Sequence, residues 1–400
     1  MINNSLLFGP LTIPNRVVFQ PMEGCDCRED GAPGELTVKK YLNAARSGAG
    51  LIWLEATAVC PEGRTNPRQM MLTEQTLPAY ADLVSKMRET AKEETGTDPV
   101  IFIQLTHSGR QSIVPMIAYR HPIYEATRPV TDENVVSDEY LSTLPALYAK
   151  TAALAVKAGF DGVDVKSCHG YLFQELLSSF TRKGAYGGSF ENRTRLYFDA
   201  IRAVKAAVPK GYPVVTRLSV SDVIPYPYGF GTDKDGNLDL TEPDRLIGEL
   251  VKEGIGMLNV TLGNPYYNSF VNRPYRAPLG APETPDVGLR RFEEVEKHIK
   301  ERFPSLIVVG SGLSFYRDDL LERAEDQLSR GICDLVGFGR MTLAYPAFYR
   351  DWLAGKFDPK KTCVACSKCT ALMRAKCVSG CAVFNEYYRN LYKEKVACKK

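Results

Sequence analysis

The sequence contains no uninterrupted apolar run long enough to cross a lipid bilayer, so no membrane-spanning helix is predicted. The first residues, MINNSLLFGP, include neither a basic region nor a long apolar core, and no secretory signal is expected. The net charge is only +3 over 400 residues, which gives no indication of a nucleic-acid partner. These absences predict a cytoplasmic protein without a membrane or nucleic-acid partner, and they leave its oligomeric state open.

Cysteine, in contrast, is abundant. The chain has 11 cysteines, and five of them lie between Cys363 and Cys381. An odd number fits poorly with a fully paired disulfide framework, and disulfides are rare in the cytosol. Zinc ligands, iron–sulfur ligands and redox-active thiols therefore remain as explanations of this segment.

The rest of the composition is that of a folded enzyme, with 44% hydrophobic and 24% charged residues. Short apolar runs without strict alternation recur along the chain and are separated by helical patterns, which favours a parallel sheet buried on both faces. The eight runs are residues 16–22, 50–59, 100–107, 162–169, 214–220, 257–263, 306–312 and 334–341.

Eight strand–helix units in a chain of this length predict an α/β fold of the (β/α)₈ TIM-barrel type. An open doubly wound sheet is the alternative, but no Gly-x-Gly-x-x-Gly sequence follows the first strand. We assign residues 1–350 to the barrel and residues 351–400 to a cysteine-rich segment and tail.

In such barrels the functional residues lie at the C-terminal ends of the strands. GSG after the seventh run and GFGR after the eighth contain Gly310, Gly312, Gly339 and Arg340. Backbone N–H groups and a guanidinium at this corner are typical of a phosphate site. Each glycine taken alone is equally consistent with a tight turn.

Several motifs in order along the chain carry a resemblance to a known family. They are NRVVFQPM, IFIQLTHSGRQ, GFDGVDVKSCHGYLFQELLS, AYGGSFENRTR, VVTRLSVSD and VGFGRMTLAYP. Together they resemble the old yellow enzyme family of FMN-dependent oxidoreductases, from Leu7 to about Asn385. The resemblance implies a barrel with the flavin across the strand ends, in agreement with the pattern of runs.

The resemblance also implies which residues hold the flavin: Pro21, Met22, Ala56, Gln104 and Arg217. Gln104 is expected at the pyrimidine edge of the ring, and Arg217 near its N1–O2 side. A fixed cation there stabilises the negative charge of reduced flavin. A structural ion pair is the alternative role of Arg217.

The cysteine segment is similar to one branch of this family, which includes 2,4-dienoyl-CoA reductase and trimethylamine dehydrogenase. That likeness implies a [4Fe–4S] cluster held by Cys363, Cys366, Cys369 and Cys381, and cysteine-only ligation suits such a cluster. Four cysteines also suit zinc. Cys377 is an alternative fourth ligand, and the roles of Cys25 and Cys27 near the flavin stay open.

The resemblance places the reacting residues at Lys166, His169 and Tyr171. Lys166 and His169 would hold a carbonyl or carboxylate oxygen, and Tyr171 would supply a proton. Many family members have a histidine or asparagine pair at the first two positions, so Lys166 is a departure. A salt bridge for Lys166 and simple packing for Tyr171 are the structural alternatives.

These residues predict an anaerobic ene-reductase that reduces the C=C bond of an unsaturated carbonyl, acid or thioester. Longer members of the branch continue into nucleotide-binding domains, whereas few residues follow Cys381 here, so the electrons are expected from an external donor, either another protein or NAD(P)H. An amine dehydrogenase or demethylase and a non-catalytic electron-transfer subunit are the alternatives. The loop Asn272–Pro285, with Arg273 and Arg276, is predicted to be a lid or a substrate-selecting loop.

Overall fold

The computed structural model of the chain describes residues 1–126, 128–274 and 283–399. An antiparallel hairpin is followed by eight parallel strands that pair in chain order, and the last strand closes on the first of the eight. The hairpin is β1 (Leu6–Phe8) and β2 (Leu11–Ile13), and the barrel strands are β3 (Val17–Phe19), β4 (Leu51–Ala58), β5 (Val100–Thr106), β6 (Gly162–Val165), β7 (Val214–Ser219), β8 (Met257–Thr261), β9 (Ile307–Gly310) and β10 (Leu335–Phe338).

All eight runs predicted as strands form barrel strands, and the TIM-barrel prediction is confirmed. The strands are buried because helices cover the outer face and side chains fill the interior; every residue of β4 and β5 is buried. The helices are α1 (Glu35–Ala45), α2 (Leu77–Thr95), α3 (Pro122–Glu125), α4 (Asp138–Lys157), α5 (Leu172–Leu177), α6 (Phe190–Ala207), α7 (Thr241–Lys252), α8 (Ser269–Asn272), α9 (Pro285–Arg302), α10 (Leu320–Ser329), α11 (Arg340–Ala344), α12 (Phe348–Leu353), α13 (Lys368–Arg374) and α14 (Glu386–Lys395).

The hairpin packs against one end of the barrel interior. Ile13 belongs to the same buried cluster as Trp53, Phe102 and Met257, and Leu6 and Phe8 pack against that cluster. Because the hairpin precedes β3, it lies at the N-terminal end of the strands, which leaves the C-terminal ends for a ligand. In the described parts of the chain, no helix combines the length and the apolar character needed to span a bilayer.

The residues after α12 pack back onto the loop that follows β3. The Ser379 backbone N–H donates to the Gly24 carbonyl at 2.7 Å. A side chain at Gly380 would collide with the Tyr388 ring, so glycine is needed where α14 crosses this segment. The predicted division at residues 350 and 351 falls inside α12 and stays a prediction. Of the predicted lid, residues 275–282 lie outside the described residues.

Candidate active site

A cavity of about 1050 Å³ opens at the C-terminal ends of the barrel strands. Sites for a single small ligand measure about 300–1,000 Å³, so this cavity has room for a flavin and a second molecule. Among the residues that line it are Pro21, Met22, Ala56, Gln104, Lys166, His169, Tyr171, Arg217, Gly312, Gly339 and Arg340. The structure thus brings together all three predicted reacting residues and eight of the nine predicted cofactor residues.

Gly310 is the exception, since it does not line this cavity; Gly337 does. A Cβ at Gly310 would lie 2.9 Å from Glu296 Oε2 and 3.1 Å from Cys333 Sγ. Glycine is therefore required there by close packing behind the strand. Its assignment to the phosphate corner stays a prediction.

The corner formed by β9 and β10 offers an unpaired cationic donor. Arg340 is 8% exposed, and its Nη2 donates to the Pro274 carbonyl at 2.7 Å. Its Nη1 is buried and has no hydrogen-bond partner among the described residues. Gly312, with φ of +88°, adopts a left-handed conformation beside it. An anion at this corner would supply the missing acceptor, so the residues present fit a phosphate group.

Asp164 on β6 orients two of the predicted flavin residues, Gln104 and Arg217, through hydrogen bonds. Its Oδ2 accepts from Gln104 Nε2 at 2.6 Å and from Trp53 Nε1 at 2.9 Å, and its Oδ1 accepts from the Arg217 backbone N–H at 2.8 Å. Burial raises the pKa of Asp164 to about 6 despite these donors. Sequence reasoning missed this role, although a carboxylate within the strand run was a signal.

Arg217 presents a buried cation to the cavity. The side chain is 8% exposed, and its Nε has no hydrogen-bond partner among the described residues. Burial lowers the pKa of Arg217, while the nearby Cys168 and Asp164 raise it. The free Nε and the fixed amide of Gln104 fit a ligand with several acceptor atoms, such as the pyrimidine ring of a flavin.

The reacting set depends on a tight turn after β6. His169 has φ of 65° and Gly170 has φ of 69°, and a side chain at Gly170 would collide with Asn264. The turn places Lys166 Nζ 3.7 Å from the centroid of the Tyr171 ring. This is a cation–π contact, and no described carboxylate lies within salt-bridge distance of Lys166, although Glu23 and Asp164 favour its charge from further away.

His169 is a neutral donor or acceptor in this cavity. Burial, followed by the charges of Arg217 and Lys166, lowers its pKa well below the usual value. Its Nε2 is buried and unpaired among the described residues. Burial also lowers the pKa of Lys166. A ligand oxygen between His169 Nε2 and the Lys166 ammonium would accept a hydrogen bond from each.

Tyr171 is held by a carboxylate that the sequence did not single out for a catalytic role. Its hydroxyl donates to Glu23 Oε2 at 3.1 Å, and Glu23 Oε1 accepts from the Thr65 hydroxyl at 2.9 Å. Burial, and then the charge of Glu23, raises the pKa of Tyr171 well above its usual value. Tyr171 therefore remains a protonated phenol across the neutral range.

A buried ion pair fixes the helix that follows Tyr171. Arg110 and Glu175, 2% and 1% exposed at the side chain, approach within 2.5 Å, and Glu175 Oε2 also accepts from the Ala118 N–H at 3.3 Å. Glu175 lies on α5, which begins immediately after Tyr171. The pair thus joins the loop after β5 to the reacting set.

We expect Glu175→Gln to lower the free energy of unfolding by about 3–5 kcal/mol, because it leaves the buried Arg110 charge without its partner. Asp82→Asn is the matched control, since the Lys86–Asp82 pair is exposed on α2 and its loss should cost about 0.3–0.5 kcal/mol. Denaturant unfolding of both variants measures this. Equal, small losses would show that the buried pair does not hold this region.

The cysteine segment gathers four thiols after the barrel. In the part of the chain that the structure describes, no cysteine forms a disulfide. Burial, and then the charges of Cys369 and Cys366, raises the pKa of Cys381. Cys369 and Cys381 likewise raise the pKa of Cys363 after burial. The four thiols therefore lie near one another. Burial raises the pKa of Cys363 to about 11, against the opposing charge of Arg340. Ala365 and Ser367, with φ of 51° and 56°, turn the backbone between the first three thiols.

Within residues 1–126, 128–274 and 283–399, no three His, Cys, Asp or Glu side chains converge closely enough to hold one metal ion. By the chemistry of their donor atoms, four cysteine thiols suit a [4Fe–4S] cluster, and they also suit zinc. Cys369 also lines the main cavity.

The remaining cysteines are placed differently. The Cys377 thiol lies 3.5 Å from the Ala375 carbonyl and interacts with Lys395. Cys25 lines the cavity, whereas Cys27 does not and packs against Thr37. Burial raises the pKa of both Cys25 and Cys27, which keeps them as thiols.

Residues 4–233 match the model of the NADH:flavin oxidoreductase / NADH oxidase family. An NADH oxidase of Thermoanaerobacter brockii is 27% identical over 368 residues, which cover 90% of this chain and 52% of that protein. An NADPH dehydrogenase of Bacillus licheniformis is 31% identical over 274 residues, 66% of this chain and 74% of that protein. The chain thus spans about half the length of the NADH oxidase that it matches.

Among solved structures, a 2-naphthoyl-CoA reductase in complex with 2-naphthoyl-CoA superposes with a TM-score of 0.79 and 19% identity, over 98% of this chain and 58% of that chain. At this identity the likeness establishes the barrel fold. The family match covers more than half of the chain, and it agrees with the motifs and with the strand-end cavity. This chain belongs to the NADH:flavin oxidoreductase / NADH oxidase family, that of old yellow enzyme.

Proposed function

We propose that the protein is an FMN- and [4Fe–4S]-dependent reductase of a C=C bond conjugated to the carbonyl of a thioester or acid. The observation that carries this proposal is the grouping of Lys166, His169 and Tyr171 in one cavity with the unpaired donors of Arg217 and Arg340. Bound FMN supplies hydride-transfer chemistry. The relatives named NADH oxidase and NADPH dehydrogenase support NAD(P)H as the external electron donor.

Lys166 and His169 would bind the carbonyl oxygen of the substrate. Negative charge develops on that oxygen as the double bond is reduced, and preorganised donors stabilise it without further rearrangement. The Lys166 ammonium provides the stronger field, and His169 donates when its Nε2 carries the proton. Because His169 is neutral, the two side chains can lie close together without repelling each other.

Tyr171 would deliver the proton to the α-carbon. Glu23 and Lys166 act on this phenol in opposite directions. Glu23 accepts its hydrogen bond and keeps it protonated at rest, whereas the ammonium over the ring stabilises the phenolate that remains after transfer. Solvent protons then restore the phenol through the open side of the cavity.

Several buried and exposed cations in the cavity argue against an amine substrate. Cation recognition usually relies on aromatic walls and a carboxylate. The cavity contains Tyr171 and Glu23, but Glu23 already accepts the Tyr171 hydroxyl, and Lys166 and Arg217 would repel a second cation. The same charges attract a carboxylate or the oxygen of a thioester. We therefore favour reduction over the amine dehydrogenase alternative.

Anaerobic spectroscopy of the dithionite-reduced holoenzyme tests this proposal. Addition of a crotonyl thioester should restore the absorbance of oxidised flavin, while the saturated butyryl thioester, the matched control, should not. If the crotonyl thioester leaves the reduced spectrum unchanged and a primary or tertiary amine bleaches the oxidised protein, the reductase assignment is wrong.

A further inference from the structure

Positive charge dominates the cavity well beyond the reacting set. Eight of the described lining residues are Arg or Lys, and only Glu23 and Glu29 are acidic. The eight are Arg68, Arg128, Lys166, Arg217, Arg273, Arg340, Arg374 and Lys376. The proposed substrate oxygen and flavin explain the buried cations Lys166, Arg217 and Arg340. They do not explain the other five cations of the cavity.

Four of these cations, which we call the rim cations, come from three separate parts of the chain: Arg68, Arg128, Arg374 and Lys376. Arg68 is half-buried and the other three are exposed. Arg374 ends α13, so the cysteine segment itself provides part of the cavity wall. Solvated cations are common on protein surfaces, but here cations from three separate segments line the same cavity.

Neutral acceptors hold the three rim arginines. Arg374 Nη2 donates to the Pro265 carbonyl at 3.0 Å, and Arg68 Nη2 donates to the Lys376 carbonyl at 3.3 Å. Arg128 donates to Gln111 Oε1 at 3.0 Å. No carboxylate among the described residues forms a salt bridge with any rim cation. The three arginines are thus held in place while their charge remains available to a ligand.

We propose that the rim cations bind phosphate groups of a nucleotide-bearing reactant. Guanidinium groups suit phosphate because they donate two parallel hydrogen bonds. Two reactants of the proposed function could carry that phosphate: a coenzyme A thioester as substrate, or NADPH as electron donor. The inference rests on the proposed function and assigns the cysteine segment a second role, in reactant binding.

Steady-state and half-reaction kinetics of Arg374→Gln test this. Lys368→Gln is the matched control, because Lys368 lies on the same helix, packs against Tyr392 at 5.3 Å from the ring centroid and does not line the cavity. One arm compares crotonyl-CoA with crotonyl-N-acetylcysteamine, which carries the same acyl group without phosphate. The second arm compares NADPH with 1-benzyl-1,4-dihydronicotinamide, which donates hydride from the same ring and carries no phosphate.

Arg374→Gln should raise KM about tenfold for a phosphate-bearing probe and leave its phosphate-free counterpart unchanged, with kcat within about twofold. An effect on crotonyl-CoA assigns the phosphate to the substrate, and an effect on NADPH assigns it to the donor. If KM rises equally for both members of each pair, or for none, the inference is wrong. If neither thioester reoxidises the flavin, the proposed reduction fails, while the nicotinamide arm still decides the role of the rim.

Discussion

Tyr171→Phe should reduce an enoyl thioester at least about a hundredfold more slowly than the wild-type protein, the usual contribution of a positioned general acid. The phenol is buried, protonated and held between Glu23 and Lys166. Phenylalanine keeps the ring and the contact with the ammonium but removes the transferable proton. Stopped-flow reoxidation of the dithionite-reduced variant measures the step directly, and its reduction by dithionite should be unchanged.

Tyr266→Phe is the comparison for this variant, because Tyr266 is the other tyrosine that lines the cavity among the described residues. After burial and the charge of Glu23, Tyr266 also raises the pKa of Tyr171, and Tyr266 stands outside the group of Lys166, His169 and Tyr171. We expect a loss of less than about tenfold, since hydrogen-bonded networks are only partly disturbed by removal of an outer member. A wild-type rate for Tyr171→Phe, or the larger loss in Tyr266→Phe, would assign the proton to another group.

Cys366→Ser should abolish the iron–sulfur cluster, whereas Cys377→Ser should retain it. Anaerobically purified wild-type protein and Cys377→Ser should each contain about four irons and four acid-labile sulfides per chain, and Cys366→Ser close to none. The reason is that Cys366 interacts with Cys381 within the four-thiol group, while Cys377 lies beside Ala375 and Lys395.

Metal and sulfide analysis of the two variants decides the ligand set. If Cys377→Ser loses its iron and Cys381→Ser retains it, the fourth ligand is Cys377 and not Cys381. Stoichiometric zinc without sulfide in the wild-type protein would contradict the cluster altogether. Because the cysteines follow the barrel, the flavin spectrum of Cys366→Ser should persist and serves as the folding control.

The barrel was predictable because its strands are buried on both faces and leave continuous apolar runs in the sequence. Their ends were less predictable. The last run, residues 334–341, extends past β10 (Leu335–Phe338) into Arg340, which begins a short helix. The pattern of apolar residues does not show where the backbone hydrogen bonds between strands end. The functional side chains lie just beyond that point.

The site residues that lie within one sequence motif were predictable. Contacts between residues far apart in the sequence were not. Lys166, His169 and Tyr171 lie together in one motif, and the structure groups them. Glu23 reaches Tyr171 across 148 residues of sequence, and Asp164 acts on Gln104 across 60. Such contacts arise only when the barrel closes. The cation–π contact of Lys166 likewise depends on the left-handed turn at His169 and Gly170.

Product analysis under anaerobic conditions tests the central claim most directly. Dithionite-reduced holoenzyme, freed of excess reductant and mixed with excess crotonyl thioester, should yield the saturated butyryl thioester in an amount matching the flavin and cluster electrons, and Tyr171→Phe should yield almost none in the same time. Recovery of the crotonyl thioester unchanged, with the wild-type flavin still reduced, would contradict the account.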